Sequence, residues 1–506
     1  MYYSVIITHT KTFTLLLTAL ILLACGGGNS TDGNNETGNI FSNTTEESST
    51  NDDQTSSTDD SSSPSKRFIP PPLTTDPPLG NGKIIWVAKS GDDLINTGDE
   101  ESPYLTIEHA ASLAIAGDTI YVKEGLYNEL SSRANSWGNP VGVAMMWDGE
   151  PDNRITLSAA PGHEGLVVID GEFTQVPLFI RGDYITVKNI EIKNCLTLCV
   201  YSPPNGNDST IGADETRFTL EPVLSSMYIH HADGVSDTNN NAVVRFDWAK
   251  DPVIRNSKIH TSTVNGEQPG HHTSGYQCYA CWGGIFENND VSEASAAFLF
   301  KTHVFDTNGA VVRYNVMHDV KGGINVLTGG RPQPTKNQIF SHNIFYNIQR
   351  SIIYNMNNNV DDLSTGLIIN NNLIIGSDEF NTKAMSFAGW VELEEVTGNI
   401  ITGFTYGINN GWYGPAYVLA SDYNIFETGM RNALKTYGGE TVDYNTFEEN
   451  SLFVDTDNMF SNPLTTDYTN KDGSPAIDFM QSGNAGPYEK GDEVIGLIPD
   501  RFPANL

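Results

Sequence analysis

Lys301 ends an apolar run, Phe298-Leu299-Phe300-Lys301, and opens the most basic part of the chain. Residues 301–350 contain six Lys or Arg against two Asp, whereas the whole 506-residue chain contains 28 Lys or Arg against 62 Asp or Glu. Neighbouring cations and burial lower the pKa of a lysine, which brings the amine closer to the range in which it can remove a proton. This stretch therefore predicts a local anion site with a lysine base.

The neighbours of Lys301 follow from the alternation of side chains along a strand, which places Phe298 and Phe300 in the core and Lys301 outside. Aligning residues 244–247, 276–279, 324–327 and 352–355 with this strand puts further polar side chains on the same outer face, about 4.8 Å apart. They are Arg245, Asp247, Tyr279, Asn325 and Asn355. Turns add His303, Arg331, His271 and His272, and the same basic segment adds Arg313. Each residue alone is more often a solvated strand residue, but the cluster predicts a groove.

Such a groove suits β-elimination on a uronic acid polymer. In that reaction the C5 carboxylate is neutralised, a base removes the C5 proton and an acid assists the leaving C4 oxygen. Cations or hydrogen-bond donors must face the carboxylate because negative charge develops on it. Lys301 is the predicted base, with His303 and Arg331 as further catalytic residues. The predicted substrate-binding residues are Arg245, Asp247, Tyr279, His271, His272, Arg313 and Asn325.

A repeat must position these side chains. An Asn followed by apolar residues recurs at Asn289, Asn315, Asn343, Asn372, Asn399 and Asn424, spaced by 26, 28, 29, 27 and 25 residues. Asn189 and Asn256 belong to the same pattern in the earlier part of the chain. A nearly constant period predicts a solenoid in which each unit is one coil, with parallel strand pairing and an Asn ladder between coils.

The segment that begins near Lys83 contains a strand at Ile84–Ala88, a short helix from about Thr106 to Gly117 and a strand at Asp118–Lys123. It resembles the N-terminal cap of bacterial right-handed parallel β-helix proteins, the pectate-lyase-like superfamily. The sequence Gly-Ser-Pro-Ala-Ile-Asp at 473–478 and Gly-Pro-Tyr-Glu at 486–489 resemble the closing segment of many such proteins. The resemblance implies an all-β, right-handed parallel β-helix over residues 83–506 with a short N-terminal capping helix.

One coil resembles a narrower family. The stretch Ala-Phe-Leu-Phe-Lys-Thr-His, followed after a loop by Val-Val-Arg-Tyr-Asn-Val-Met, is similar to the lysine coil of the alginate lyase and chondroitinase B family. This resemblance implies that Lys301 is the base and that an Arg from the next coil assists it. The family's Arg position holds Leu327 or Thr328 here, and the nearest candidate is Arg331.

The N-terminus has the features of a targeting signal. Residues 1–24 contain an apolar run too short for a confident membrane span, as in a signal peptide. Leu22-Leu23-Ala24-Cys25-Gly26 resembles the lipobox of bacterial lipoproteins, which implies lipid on Cys25 and the outer membrane. Residues 25–82 are rich in Ser, Thr and Asp and then in Pro, which predicts a disordered tether. The alternative is an ordinary cleaved signal peptide.

Charge and cysteine content bound the partners. A net charge of -34 argues against nucleic-acid binding, which needs many cations. The local groove makes an acidic polysaccharide the expected partner, bound by a monomer, with membrane contact only through Cys25. Ca²⁺ is the candidate cofactor, at acidic turns such as 233–237 or 361–362. In an exported protein, Cys195 with Cys199 and Cys278 with Cys281 are expected as local disulfides, with a zinc or redox role for the second pair as the alternative.

Two other functions fit a solenoid of this kind. A glycoside hydrolase would need two carboxylates flanking the bond. Asp233, Asp237, Asp247 and Glu293 are candidates, although no two share an obvious register. A noncatalytic protein that binds glycan or a partner through the same face is the third possibility, because this kind of scaffold does not dictate activity.

Overall fold

The computed structural model describes residues 73–205, 215–233, 241–261, 273–302, 307–328, 333–355, 363–377, 383–389, 391–410, 416–430, 450–454, 460–462 and 467–470. Across these ranges no helix is long and apolar enough to cross a membrane. The α-helix found there, α1, runs from Ile107 to Leu113, and a 3-10 turn covers Glu215–Arg217.

The rest of the regular structure in these ranges is β-strand. The strands of the N-terminal part are β1 (Ile84–Val87), β2 (Thr119–Val122), β3 (Gly125–Tyr127), β4 (Val141–Met145), β5 (Ile155–Ala159), β6 (Val167–Asp170), β7 (Val176–Ile180), β8 (Ile185–Lys188), β9 (Glu191–Leu196), β10 (Val200–Ser202), β11 (Thr219–Leu220), β12 (Val223–Ser225), β13 (Tyr228–Asp233), β14 (Ala242–Asp247), β15 (Ala249–Lys250), β16 (Val253–Arg255), β17 (Lys258–His260), β18 (Ser274–Tyr279), β19 (Ile285–Glu287) and β20 (Asp290–Ser292).

The later strands continue the same succession. They are β21 (Ala296–Thr302), β22 (Thr307–Asn308), β23 (Val311–Arg313), β24 (Val316–Thr328), β25 (Thr335–Lys336), β26 (Ile339–Ser341), β27 (Ile344–Asn355), β28 (Ser364–Asn370), β29 (Leu373–Gly376), β30 (Lys383–Ala388), β31 (Val391–Thr397), β32 (Ile400–Thr402), β33 (Tyr406–Asn410), β34 (Ala416–Val418), β35 (Ser421–Asp422), β36 (Ile425–Glu427), β37 (Leu452–Val454), β38 (Phe460–Asn462) and β39 (Asp467–Asn470).

The strands stack as the successive sides of coils. Sheet 1 contains β1, β2, β5, β8, β12, β16, β19, β23, β26, β28 and β31, each parallel to the next. Sheet 2 has two arms. Arm 1 contains β3, β6, β9, β13, β17, β20, the first part of β24 and β27, β29, β32, β36 and β37. Arm 2 contains β4, β7, β10, β14, β18, β21, the last part of β24 and β27, β30 and β33.

One coil therefore passes through sheet 1, arm 1 and arm 2 before it returns to sheet 1, as in β16, β17 and β18. This parallel pairing of strands one coil apart confirms the all-β parallel β-helix that the sequence predicts. The capping helix is also confirmed. Thr106 accepts a hydrogen bond from the amide of His109 at its start, but the helix ends at Leu113, four residues before Gly117.

The core agrees with the strand alternation expected from the sequence. Phe246, Phe298, Phe300 and Val326 are fully buried. Phe246, Phe300 and Val326 belong to one register row of arm 2, which also contains Cys278, and Phe298 lies two positions before Phe300 on β21. Burial of large apolar side chains in every coil is the main favourable term of such a fold.

The Asn ladder forms at the corner between sheet 1 and arm 1. Asn289, Asn315, Asn343, Asn372, Asn399 and Asn424 are fully buried. From Asn289 to Asn399, the side-chain amide of each Asn donates a hydrogen bond to the side-chain oxygen of the next Asn, at 3.0 or 3.1 Å. Asn189 and Asn256 do not join the ladder. They occupy the preceding position, where the backbone is left-handed with φ of 61° and 49°, a conformation that Asn tolerates better than most residues.

The corner between the two arms is also made by a left-handed residue. Asn194, His231, Glu293, Asp319 and Asn347 have φ between 49° and 56° at this corner. A single residue in this conformation turns the chain sharply without breaking the parallel pairing on either side.

The end of the predicted tether is part of the folded body. Thr74 donates its amide to Glu287 Oε1 at 2.8 Å, and Asp76 Oδ1 accepts from the Ser225 hydroxyl at 2.6 Å. Asp76 also lies 3.7 Å from the Arg255 guanidinium. Residues 73–82 thus begin the folded part earlier than the predicted boundary at 83, because Asp76 meets basic and hydroxyl side chains of sheet 1.

Candidate functional site

Arm 2 carries two outward rows of side chains. Asp247, Tyr279, Lys301 and Leu327 are register partners in one row. Tyr201, Arg245, Gln277, Leu299 and Asn325 are register partners in the row beside it. This register agrees with the alignment made from the sequence. The pleat of a strand therefore brings Arg245, Asp247, Tyr279 and Lys301 to one face, which we call the lysine face.

Arg245 and Asp247 form the central ion pair of the lysine face. Arg245 Nε donates to Asp247 Oδ1 at 2.9 Å, and Nη2 lies 2.9 Å from Oδ2. The Tyr201 hydroxyl donates to the same carboxylate at 3.2 Å. Burial acts to lower the pKa of Arg245, but the charge and hydrogen bonds of Asp247 outweigh it and raise that pKa. Arg245 therefore remains a permanent positive charge.

Aromatic rings enclose this ion pair on both sides. The Arg245 guanidinium lies 4.8 Å from the ring centroid of Trp137 and 4.7 Å from that of Tyr279. Stacking of a guanidinium on aromatic faces is favourable, more so where water is excluded. Arg245 is therefore fixed in position, and its charge acts on whatever binds next to it.

Lys301 lies on the other side of Tyr279. Its Nζ donates to the Tyr279 hydroxyl at 3.4 Å and lies 5.4 Å from the ring centroid. Burial, and then the positive charge of Arg245, lower the pKa of Lys301 to about 8. Burial raises the pKa of Tyr279, so its hydroxyl keeps its proton. A partly neutral amine and a protonated phenol therefore stand side by side.

Trp137 extends the face beyond the strands. Its ring stacks on Tyr201 at 4.9 Å between centroids and is half exposed. Asn135 Oδ1 accepts from the amides of Trp137 and Asn139 and so holds the turn. From Tyr201 to Lys301 the face spans three strand spacings, about 14 Å. A half-exposed indole beside a charged cluster is the kind of surface on which a sugar ring can stack.

Two further predicted residues, Asn325 and Arg313, are described by the structure, and only Asn325 lies on the lysine face. Asn325 is on the lysine face, one strand beyond Leu299, and its buried Oδ1 has no hydrogen-bond partner. Arg313 is not on this face, contrary to the prediction. It lies on β23 of sheet 1, where it is 1% exposed and its Nη2 contacts Glu287 Oε2 at 2.7 Å. The basic segment is therefore spread around the coil, because consecutive strands of one coil belong to different sides.

Several predicted site residues lie outside the described residues. They are His271, His272, His303 and Arg331, together with Cys25. The backbone of Asn355 continues the row of Lys301, but its side chain is not among those described. Their roles stay predictions.

The four cysteines form two local disulfides, Cys195–Cys199 and Cys278–Cys281. The second bridge joins the inward residue beside Tyr279 to the turn that follows β18. It therefore fixes the end of the strand that carries Tyr279.

The described part of the lysine face does not fit Ca²⁺, which takes six to eight oxygen ligands. Among the described outward side chains of β14, β18 and β21, Asp247 is the carboxylate. Both of its oxygens already contact Arg245. The predicted acidic turns contribute no described side chain, because Asp237, Asp361 and Asp362 lie outside the described residues and only the backbone of Asp233 is described.

Two groups of side chains in the structure were not predicted from the sequence. One is Trp137 and Tyr201 on the lysine face. The other is on arm 1, where His230, His231 and His260 each place one ring nitrogen within 4.8 Å of the other two. A signal for the second group exists, because Ile-His recurs at the same register position of two adjacent coils, Ile229-His230 and Ile259-His260.

Comparisons with known proteins identify the fold. Pectate lyase Pel9A superposes over 82% of this chain and 98% of that chain, with a TM-score of 0.52 and 13% identity. XylC, solved in complex with xylose, superposes over 69% of this chain and 84% of that chain, with a TM-score of 0.42 and 14% identity. At this level of identity, the likeness to Pel9A establishes the parallel β-helix fold alone.

Comparisons by sequence match only a small part of the chain. No protein-family model matches the chain. An uncharacterized protein of Bacillus subtilis (strain 168), YwoF, is 40% identical over 50 residues, which is 10% of this chain and 10% of that protein. The match thus spans about a tenth of the curated relative.

Proposed function

We propose that this parallel β-helix protein is a polysaccharide lyase that cleaves a uronic-acid-containing polymer by β-elimination on the lysine face. The observation that carries the proposal is Lys301, an outward amine with a pKa lowered to about 8, next to a protonated phenol whose ring also contacts the fixed cation Arg245. A base works best when its pKa lies near the working pH. Lys301 meets this condition without any group outside the described residues.

The residues of the face have separable roles in this mechanism. Neutral Lys301 takes the C5 proton, and the electron pair of the C–H bond forms the C4–C5 double bond as the C4–O bond breaks. Tyr279 donates its hydroxyl proton to the leaving C4 oxygen. The charge of Arg245 favours the negative charge that develops on the C5 carboxylate. Trp137 offers its half-exposed ring to a neighbouring sugar.

The substrate class follows from the chemistry of the face. A net charge of -34 repels a polyanion at long range, so an acidic polymer needs local cations to bind. Arg245 supplies a permanent positive charge beside aromatic surface. The fold likeness to a pectate lyase supports the same substrate class.

The test is a panel of alginate, pectate, chondroitin and neutral glycans, each incubated with the protein with and without chelator. A lyase produces ultraviolet absorbance from the C4–C5 double bond, and on this mechanism the rate rises with pH through about 8 as Lys301 loses its proton. Reducing ends without that absorbance would indicate a hydrolase instead. Binding without any product would indicate a noncatalytic glycan-binding protein.

The location of the protein belongs to the same proposal. The lipobox-like sequence at Cys25 and the polar stretch before residue 73 support a lipid anchor in the outer membrane, with the β-helix outside the cytoplasm. Such an anchor would hold the enzyme where polymeric substrate is met.

A further inference from the structure

Three histidines meet at the end of two neighbouring strands of arm 1, away from the strands that carry the lysine face. His230 on β13 and His260 on β17 are register partners, and their rings are parallel, with 1° between planes and 5.1 Å between centroids. His231 follows in the left-handed conformation of the corner, with φ of 56°. That turn brings its ring edge-on to both, at 4.6 and 5.3 Å between centroids.

The spacing of the ring nitrogens suits a small metal ion. One nitrogen of each ring lies within 4.8 Å of the other two. Zinc bonds of 2.0–2.1 Å in tetrahedral geometry need nitrogens about 3.3 Å apart. Nδ1 of His230 already contacts Nδ1 of His231.

Partners around the cluster orient two of the rings. Glu191 Oε1 lies 3.2 Å from His230 Nε2, and the Tyr228 hydroxyl lies 3.0 Å from His260 Nε2. A carboxylate on one ring nitrogen fixes the tautomer that leaves the other nitrogen as a ligand, as is usual for metal-bound histidine. Glu191 is fully buried, and its second oxygen has no hydrogen-bond partner. Lys193 Nζ lies 3.3 Å from Oε1 of the same carboxylate, so Glu191 contacts both a lysine and the His230 ring.

We propose that His230, His231 and His260 form a zinc site, with Glu191 as the positioning residue for His230. Three imidazoles favour Zn²⁺ or a similar transition metal over Ca²⁺, which prefers oxygen. They leave one tetrahedral position for water or a further ligand. The site is independent of the proposed base, because the histidines lie on arm 1 and Lys301 lies on arm 2.

The experiment is a titration of the full chain, purified without a polyhistidine tag and freed of metal by a chelator, with Zn²⁺ and in parallel with Co²⁺. We expect one equivalent of Zn²⁺ with a rise in Tm, and a Co²⁺ absorption band of the intensity typical of a tetrahedral site. A weak band typical of six-coordinate Co²⁺, or no binding at all, would overturn the proposal.

The variants are chosen so that folding does not decide the result. His231→Asn keeps a residue that accepts the left-handed backbone and removes one ligand, and we expect Zn²⁺ affinity to fall at least about 100-fold, as also for His260→Ala. Glu191→Gln should weaken binding about 10–100-fold, the usual effect of losing such a partner. His163→Ala, at a distant turn where His163 contacts Glu124, is the matched control and should bind as the wild type does.

Two further outcomes separate this proposal from others. Equal Zn²⁺ affinity in His231→Asn, His260→Ala and the wild type would contradict the site. Lys301→Ala should retain Zn²⁺ binding whether or not the protein is a lyase. A failed lyase assay therefore leaves the metal result intact, and a failed titration leaves the lyase result intact.

Discussion

The reactivity of Lys301 depends on two local causes, burial and the charge of Arg245. Both favour the neutral amine, and both are fixed by packing, since Arg245 is enclosed by Trp137, Tyr279 and Asp247. A lysine on an open strand would stay protonated at neutral pH and could bind an anion but not take a proton. On the proposed mechanism, the lowered pKa of Lys301 is therefore what would distinguish a base from a residue that only binds an anion.

Arg245→Gln tests that cause. Loss of the positive charge, and exposure of Lys301 to an unpaired Asp247, should both raise the pKa of Lys301 toward its usual value. The alkaline shift of the rising limb in a plot of kcat/KM against pH measures the change. Arg245→Lys keeps the charge and is the control, with a limb close to that of the wild type. An unshifted limb in Arg245→Gln would mean that the limb does not report Lys301.

At this scale the sequence predicts only part of the site. Arg245, Asp247, Tyr279 and Lys301 could be aligned because each directly follows an apolar residue that faces the core. The prediction that Arg313 belongs to this face was wrong, because its strand lies on another side of the coil. Local charge in the sequence does not reveal which side a strand occupies. Trp137 lies in an irregular turn outside the repeat, and His231 reaches its partners only through a left-handed corner.

The Asn ladder is the element that keeps the coils in register. Each buried Asn satisfies backbone groups at a corner where the strand hydrogen bonds are interrupted. Asn343, for example, donates to the Val312 carbonyl at 2.9 Å and accepts from the Asn315 amide at 3.1 Å. The ladder continues to Ser257 at one end and Ser451 at the other. At the two ends a serine hydroxyl takes the place of the Asn side-chain oxygen: Ser257 Oγ accepts from the Met227 amide and Ser451 Oγ accepts from the Asn424 amide.

Asn343→Ala should therefore destabilise the solenoid by several times the effect of a surface change. It leaves buried donors and acceptors of two neighbouring coils without partners, at about 1–3 kcal/mol for each such group. The measurement is the denaturant midpoint at constant m-value. Asn128→Ala removes an exposed Asn that contacts Glu172 and should cost less than about 1 kcal/mol. Equal losses in both variants would contradict a structural role for the ladder.

The ladder and the parallel strands could be predicted because their period is constant. The exact corner conformation could not, since Asn serves both as a ladder residue and as a left-handed residue. Asn256 and Asn289 look alike in sequence, yet only Asn289 faces inward to the ladder. One residue of offset decides between the two roles.

At the scale of the molecule, the chain joins an acidic N-terminal stretch to an acidic β-helix. The folded part begins by residue 73, where Thr74 and Asp76 contact sheet 1. If Cys25 is the lipid anchor, the polar stretch between Cys25 and residue 73 is the spacer between the anchor and the folded part. Its composition was readable from sequence, but its end was not, because contacts of Asp76 with distant basic residues depend on the fold.

Cys25→Ser tests the anchor. If Cys25 carries lipid, the wild-type protein should partition into detergent and the variant should be released, because a serine hydroxyl does not take the place of the modified thiol. Phase partitioning of the two proteins, expressed in a Gram-negative host, is the measurement. Cys199→Ser, which changes a cysteine of the folded body, is the control and should remain with the detergent. Equal partitioning of Cys25→Ser would rule out this anchor.

The central claim is that Lys301 is a base on an outward face that takes a proton from a uronate. Lys301→Ala removes the amine without disturbing the core, because Phe298 and Phe300 carry the packing of β21. Lys336→Ala, the same change on an exposed strand residue of a later coil, is the matched control. Both variants should retain the cooperative thermal transition of the wild type.

The decisive measurement is the initial rate of absorbance from the C4–C5 double bond on whichever uronate polymer the panel selects. The account expects Lys301→Ala to lose about 10²- to 10⁴-fold, the contribution of a proton-transfer group, while Lys336→Ala keeps the wild-type rate. An undiminished rate in Lys301→Ala would contradict the account and would leave Tyr279 or His303 as the candidate base.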